Sequence, residues 1–344
     1  MAHLAAPRPE TWIEVRPEGL HVVPGGFFVD PLRAVERAVV SHGHSDHARP
    51  GHAAVIATPE TLAIMRLRLG EGAGRRQEPV AYGETRRIGA VDVTLVPAGH
   101  VLGSAQIVLE HKGSRVVVSG DYKRTADPTC APFAPVPCDL FVTEATFGLP
   151  VFRHPDPQRE IARLLDSVRL FPERCHVVGA YALGKAQRLI ALLRAAGWDA
   201  PIHLHGALVA MCRLYEDHGI VLGELRPATA GAKGEARQEL AGQIVLAPPA
   251  AIADRWARRL PDPVICAASG WMRVKQRAKQ GGVELPLVIS DHADWPELLA
   301  TCAEVQAPEI WITHGREEAL AHALHQTGRR ARALALVGYE EEES

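Results

Sequence analysis

Residues 41–47 read Ser-His-Gly-His-Ser-Asp-His, placing four potential metal ligands, His42, His44, Asp46 and His47, within six positions. Core packing does not account for polar groups this dense, because each would need its own buried partner. Imidazole with carboxylate suits a borderline divalent ion such as zinc, and three imidazoles with one carboxylate leave room for two ions. Further along, His100 stands in Pro-Ala-Gly-His and Asp121 in Ser-Gly-Asp-Tyr, each just after an apolar run. The adjoining Gly99 and Gly120 let the backbone turn sharply and come close to an ion. A carboxylate set between two ions can bridge them at about 3.5 to 4 Å and trap a hydroxide nucleophile. Hydrolysis assisted by two metals is the chemistry these residue types suit.

Three later motifs have the same character: Thr-Glu-Ala-Thr-Phe-Gly with Glu144, Ser-Asp-His-Ala-Asp with His292, and Thr-His-Gly with His314. Two more segments could meet a polyanion. In Gly179 to Arg188 (GAYALGKAQR), Gly184, Lys185 and Gln187 fall at a helix start just after a strand, where backbone N–H groups and the helix dipole suit a phosphate. In Ser269 to Lys279 (SGWMRVKQRAK), Arg273, Lys275, Arg277 and Lys279 occur with no acid before Glu284. Such a run is a solvated face in most proteins and a strand-binding rim in a nuclease.

The elements that must position these residues fall into two textures. Up to residue 145 the chain shows short β-branched runs broken by turn residues: His21 to Val29, Arg37 to Val40, Val91 to Val96, Gln106 to Glu110, Arg115 to Ser119 and Leu140 to Thr143. One helix interrupts them over Pro59 to Leu69, with Thr58 at the N-cap, Pro at the first helical position and Gly70 as the stop. From about Gln158 strands alternate with helical patterns, which predicts a second unit with a parallel sheet. An Ala/Gly-rich stretch from Arg226 to Gln243 reads as a connection within that unit, and the final EEES as a solvated tail.

Composition narrows the function classes. With 344 residues, 47% hydrophobic and 23% charged, the chain has the balance of a globular protein of two domains, or of one domain with a large insertion. No apolar run reaches the roughly 18 residues of a membrane span, and the N-terminus has no secretory apolar region, so the expected compartment is the cytoplasm, with no membrane partner. A net charge of −2 excludes wholesale attraction to nucleic acid but permits a local basic channel. Six scattered cysteines without a CxxC read as reduced core thiols.

The motifs HGHSDH, GH at His100 and SGDY, preceded by Asp30 in FFVDP, resemble the successive motifs of the metallo-β-lactamase fold. This resemblance implies an αββα sandwich with a dinuclear centre. It gives one ion to His42, His44 and His100, the other to Asp46 and His47, a bridging role to Asp121, and a supporting role behind the ligand loop to Asp30. The Glu144, His292 and His314 motifs, with the last two 22 residues apart, are similar to those of the β-CASP nucleases. In that reading His314 completes the second metal, and Asp46, Glu144 and His292 serve catalysis, with His292 protonating the leaving oxygen and Glu144 orienting it. The ions would be zinc, with manganese the other candidate.

Over most of its length the chain resembles the ligase-associated DNA exonucleases, through PGGFFVDP, SHGHSDHARPGH, SGDYKRTADPTCAPF, TEATFGLPVFR, YALGKAQR, ASGWMRV and SDHADWPELL. The expectation is an α/β protein with a metallo-β-lactamase domain over 1–148 and 285–344 and an inserted β-CASP domain over 149–284. It would hydrolyse DNA ends from 3′ to 5′, working in repair beside an ATP-dependent DNA ligase and a helicase. The phosphate and strand contacts would come from Gly184, Lys185, Gln187, Ser269, Arg273, Lys275 and Arg277. The alternatives are an RNA-processing nuclease of the same fold, a non-catalytic nucleic-acid clamp, which predicts gaps in the ligand set, and a small-ester or thioester hydrolase, disfavoured by the insertion and by His292.

Overall fold

The structure, a computed structural model, describes residues 6–228 and 239–334. Most of the connection expected over Arg226 to Gln243, and the EEES tail, lie outside the described residues. The chain divides into two units, one running through Val151 and resuming at His292, the other spanning Phe152 to Asp291.

The first unit is built on two sheets. One contains β1 (Ile13–Arg16), β2 (Gly19–Val22), β3 (Phe27–Val29), β4 (Arg37–Val39), β5 (Ala54–Ala57) and β6 (Arg76–Pro79), side by side in that order. The single run expected over His21 to Val29 is in fact the antiparallel pair β2 and β3, because Pro24-Gly25-Gly26 turns the chain between them. The other sheet contains β7 (Thr85–Ile88), β8 (Val91–Pro97), β9 (Ala105–His111), β10 (Ser114–Val118), β11 (Leu140–Ala145), β18 (Glu309–Gly315) and β19 (Arg330–Ala333), in the order β19-β18-β11-β10-β9-β8-β7.

Side chains alternate across these strands with the period of two that a pleat imposes. Val91, Val93 and Leu95 of β8, Ile107 and Leu109 of β9, Val116 of β10 and Leu140 of β11 point into a shared core with Val22, Phe27, Val29, Val39 and Ile56 of the first sheet. The intervening Val108, Val117 and Phe141 point the other way, onto Leu298, Cys302, Leu320 and Leu324 of the helices Trp295–Glu304 and Glu317–Gln326. On the far face of the first sheet, Ala38, Val40, Val55 and Ala57 pack on Leu62 and Met65 of the helix Pro59–Leu69. Each fully buried large aliphatic side chain contributes about 1.5 to 3 kcal/mol. The layers therefore run helix, sheet, sheet, helix, the αββα order of the metallo-β-lactamase fold.

The helix Pro59–Leu69 has the bounds read from the sequence. Thr58 Oγ1 accepts from Thr61 N–H at 3.1 Å and donates to the Gly103 carbonyl at 2.7 Å, which ties the helix start to the loop after His100.

The second unit carries one sheet of β12 (His176–Gly179), β13 (Ile202–Leu204), β14 (Leu225–Pro227), β15 (Ile244–Ala247), β16 (Val264–Ala268) and β17 (Leu285–Leu287). Their order is β14-β13-β15-β12-β16-β17, and every pairing is parallel. This is the inserted α/β domain of the expected fold class. Because β17 pairs with β16, the second unit continues past residue 284 and ends at Asp291. No helix among the described residues is long and apolar enough to cross a membrane.

Candidate metal centre

The ligand loop leaves β4 and is held from behind by Asp30. Its carboxylate accepts from Ser41 N–H at 2.7 Å, from the Ser41 hydroxyl at 2.6 Å, and pairs with His47 Nδ1 at 2.8 Å. Asp30 does this from a left-handed backbone with φ 42°, and His314 is also left-handed with φ 60°. Such conformations cost about 1 to 3 kcal/mol in non-glycine residues, and they persist where the surrounding structure over-determines them. Arg68, in the last turn of the helix Pro59–Leu69, reaches back through Nη1 to the Gly43 carbonyl and fixes the middle of the loop. Gly120 is required by proximity, since a Cβ there would lie 2.8 Å from the Ser41 side chain.

The nitrogens and oxygens converge on two sets. In the first, His42 Nε2 lies 3.1 Å from His44 Nδ1, His44 Nδ1 lies 3.0 Å from His100 Nε2, and Asp121 Oδ2 lies 3.3 Å from His42 Nε2 and 3.7 Å from His100 Nε2. Tetrahedral donors about 2.1 Å from a zinc-sized ion stand about 3.4 Å apart, so these spacings fit one ion. In the second set, His47 Nε2 lies 3.4 Å from Asp121 Oδ2 and 3.7 Å from Asp46 Oδ2, and the His314 ring stacks on His47 at 4.8 Å. His47, Asp121 and His314 offer donor atoms within 4.8 Å of one another. Asp121 thus belongs to both sets. The residues present fit a pair of divalent ions.

Burial and charge prepare these groups for a cation. Burial, helped by the charge of His47, pushes His42 well below the usual imidazole range. His314 is lowered to about 4 by burial and then by His47. Burial opposes charge on His47, but the Asp121 and Asp46 carboxylates and the hydrogen bonds to Asp121 and Asp30 outweigh it and hold the imidazolium well above its usual range. Asp121, against its own burial, is held well below the carboxylate range by His47 and by hydrogen bonds to His42 and His47. Asp46 is lowered too, its burial being overcome chiefly by His47. The ionised carboxylates and the neutral His42 and His314 are the protonation states a divalent ion selects, whereas His47 would give up its proton to bind one.

Beside His100 of the first set, whose ring lies 4.5 Å from that of His292, His292 Nδ1 lies 3.0 Å from Glu144 Oε2, and Glu144 Oε1 accepts from Tyr122 N–H at 2.8 Å. Glu144 is fully buried at the end of β11, while the His292 side chain is 20% exposed. Asp121, Glu144 and His292 also bring donor atoms within 4.8 Å of each other.

In the second unit, the residues expected to cradle a phosphate are engaged internally. Gly184 N–H donates to Gln187 Oε1 at 2.9 Å, Gln187 Nε2 donates to the Ala182 carbonyl at 2.9 Å, and Lys185 Nζ pairs with Asp291 Oδ1 at 2.6 Å. Lys185 and Gln187 are both buried. A strand-to-helix turn that caps itself this way has no amide of Gly184 left to offer. Ser269 Oγ accepts from Trp271 N–H at 3.2 Å, and the Arg277 guanidinium lies over the Trp271 ring at 4.1 Å. Arg273 and Lys275 are exposed.

Sequence reasoning assigned no role to Ser41, Arg68 or the Tyr122 backbone. Ser41 had a signal, its position at the mouth of the histidine cluster. Arg68 had none, because its partner is a backbone carbonyl 25 residues away.

No protein-family model matches the chain. Among curated proteins, it is 30% identical over 331 residues to a probable DNA ligase of Opitutus terrae, a match covering 92% of this chain and 30% of that protein. It is 29% identical over 216 residues to ribonuclease TTHA0252 of Thermus thermophilus, covering 54% of this chain and 49% of that one. It is 35% identical over 133 residues to cleavage and polyadenylation specificity factor subunit 3 of Dictyostelium discoideum, covering 37% and 17%. The chain thus spans half or less of the length of these relatives. A solved protein of unknown function from Enterococcus faecalis shares the fold with TM-score 0.58 at 14% identity, over 88% of this chain and 80% of that one. The layer order and the inserted sheet, with these relatives, are consistent with a metallo-β-lactamase/β-CASP fold.

Proposed function

We propose that this chain, an αββα sandwich with an inserted α/β unit, is a two-metal phosphodiesterase that removes nucleotides from DNA ends, from 3′ to 5′, in cytoplasmic DNA repair. The observation that carries the chemistry is the sharing of Asp121 Oδ2 between two donor sets with the His292–Glu144 pair alongside. His42, His44, His100 and Asp121 would hold one ion, and Asp46, His47, His314 and Asp121 the other. When bound, two divalent ions, zinc or manganese, supply an activated water and neutralise charge on the phosphoryl oxygens.

The rest falls to the chain itself. A bond forms from water oxygen to phosphorus, the phosphorus to O3′ bond breaks, and O3′ needs a proton as it leaves. His292 bonds Glu144 through Nδ1, which leaves Nε2 as the nitrogen to deliver that proton. Buried Glu144 fixes the tautomer and orientation of that imidazole. Exposed Arg273 and Lys275, with Arg277 stacked on Trp271, offer charge and a planar surface for the strand.

DNA is favoured by the relative named as a DNA ligase, because that match alone among the three described runs along nearly the whole chain. The same match, to a protein named as a DNA ligase, supports action beside a DNA ligase. RNA is the second reading, favoured by the relative named as a ribonuclease. The test uses metal-loaded protein with DNA labelled at the 5′ or the 3′ end, a matched RNA strand and a chelator control. A ladder shortening from the 3′ end of DNA and abolished by chelator is expected. Preferential loss of RNA, or internal cuts, would overturn the substrate while keeping the site chemistry.

A further inference from the structure

We infer that Lys123 and Glu297 are positioning residues, whose buried ion pair holds the proton donor His292 in register with the shared ligand Asp121. The inference rests on the reading of His292 given above. Asp121 follows β10, whereas His292 precedes the helix Trp295–Glu304, so residues more than 170 positions apart must be held together.

Hydrogen bonds close a ring between the two segments. Tyr122 N–H donates to Glu144 Oε1 at 2.8 Å, Glu144 Oε2 meets His292 Nδ1 at 3.0 Å, and Ala293 N–H donates to the Tyr122 carbonyl at 2.7 Å. The peptide link between His292 and Ala293 completes the circuit. Every member is one residue from Asp121, or is the imidazole, or directly bonds it. A ring of this size tolerates little sliding, but nothing within it resists a tilt of the helix away from β10.

Lys123 and Glu297 supply that resistance one residue further out. Lys123 Nζ donates to Glu297 Oε2 at 2.6 Å, with Lys123 5% exposed. Glu297 Oε2 also accepts from Asp294 N–H at 3.1 Å, its Oε1 accepts from the Thr125 hydroxyl at 2.9 Å, and Asp294 Oδ1 accepts from Glu297 N–H at 3.1 Å. The carboxylate is therefore both the cap of the helix that follows His292 and the anchor of the segment that follows Asp121. Lys123 is held on its other side as well. Its N–H donates to the Ala98 carbonyl at 3.1 Å, and a Cβ on the left-handed Gly99 would lie 2.3 Å from its carbonyl oxygen. One residue thus bears on the segments of Asp121, His100 and His292. The pair is costly to break from the glutamate side, since the Lys123 side chain is 6% and that of Glu297 18% exposed and loss of Glu297 leaves a buried ammonium uncompensated.

The test compares a substrate whose leaving group needs a proton with one whose leaving group does not. Lys123→Met, Glu297→Gln, Lys123→Arg and wild type are loaded with metal and assayed on a DNA strand and on bis(p-nitrophenyl) phosphate, with metal content measured for each. Expected for Lys123→Met and Glu297→Gln are two ions per chain, strand cleavage slowed about 10- to 100-fold in kcat with little change in KM, and diester hydrolysis within about threefold of wild type. Lys123→Arg, which keeps the pair, is expected within about threefold of wild type on both substrates. Equal losses on both substrates, loss of metal, or variants as fast as wild type on DNA would overturn the positioning role. If Lys123→Met fails to fold, the near-isosteric Glu297→Gln decides the matter. A wild type that cleaves neither substrate would instead overturn the functional reading, and this inference with it.

Discussion

Asp121 Oδ2 stands 3.3 Å from His42 Nε2 and 3.4 Å from His47 Nε2, so removing one oxygen strips both donor sets of an anion. Asp121→Ala is expected to abolish retention of both ions and to lower strand cleavage by at least about 10²-fold, read by elemental analysis after gel filtration and by the labelled-strand assay. Unchanged metal content would remove the bridging role. His292→Ala separates the proton donor from the ligands: both ions should stay while cleavage slows by about 10² to 10⁴-fold. Loss of an ion from this variant would make His292 a ligand. Asp30 acts from behind the ligands, fixing His47 through Nδ1 and the loop through Ser41. Asp30→Ala should therefore weaken metal affinity about 10- to 100-fold in a calorimetric titration.

Among the elements, the helix Trp295–Glu304 and the segment after β10 are joined by charge, which makes their union sensitive to pH. Burial opposes ionisation of Glu297, but Lys123 and the hydrogen bonds from Lys123, Asp294 and Thr125 outweigh it and lower its pKa from the ordinary glutamate value. A carboxyl lowered on folding contributes stability that is complete above the ordinary glutamate range and fades as pH falls through the lowered value. Wild type should accordingly lose melting temperature on acidification across that window more steeply than Lys123→Met. A variant with the same slope would show that the pair does not set the dependence. The helix Pro59–Leu69 behaves differently, because its boundaries depend on the local signals Thr58, Pro59 and Gly70, and both ends were legible before any tertiary contact was known.

At the scale of the whole molecule, a net charge of −2 gives no general attraction to a polyanion, so strand affinity must come from local groups. Arg273 and Lys275 are exposed in the second unit and have no acid near them in sequence. Replacing both with Ala should raise the KM for DNA several-fold at fixed salt. It should also flatten the dependence of log affinity on log salt by about 0.7 for each single-strand phosphate that these side chains no longer neutralise. An unchanged salt slope would place the strand elsewhere.

What could be read along the chain was what depends on neighbours along the chain. The histidine cluster, the glycine-flanked His100 and Asp121 and the capped helix are short-range patterns, and the structure draws His42, His44, Asp46, His47, His100, Asp121 and His314 to one place. Strands β6, β7 and β19, with the sequences RQEP, TRRI and RARA, offer the core no more than Ile88 and Ala331 and carried no run of large apolar residues. Each lies at a sheet edge with a single neighbouring strand, so backbone pairing rather than side-chain burial makes it a strand. The fate of Lys185 was likewise tertiary, since a lysine at a helix start becomes an internal ion pair only when Asp291, 106 residues away, folds against it. The tie between Lys123 and Glu297 spans 174 residues. Ligand identity is a property of residue type and local spacing, whereas which charges meet is decided by loop closure over distances that no local pattern encodes.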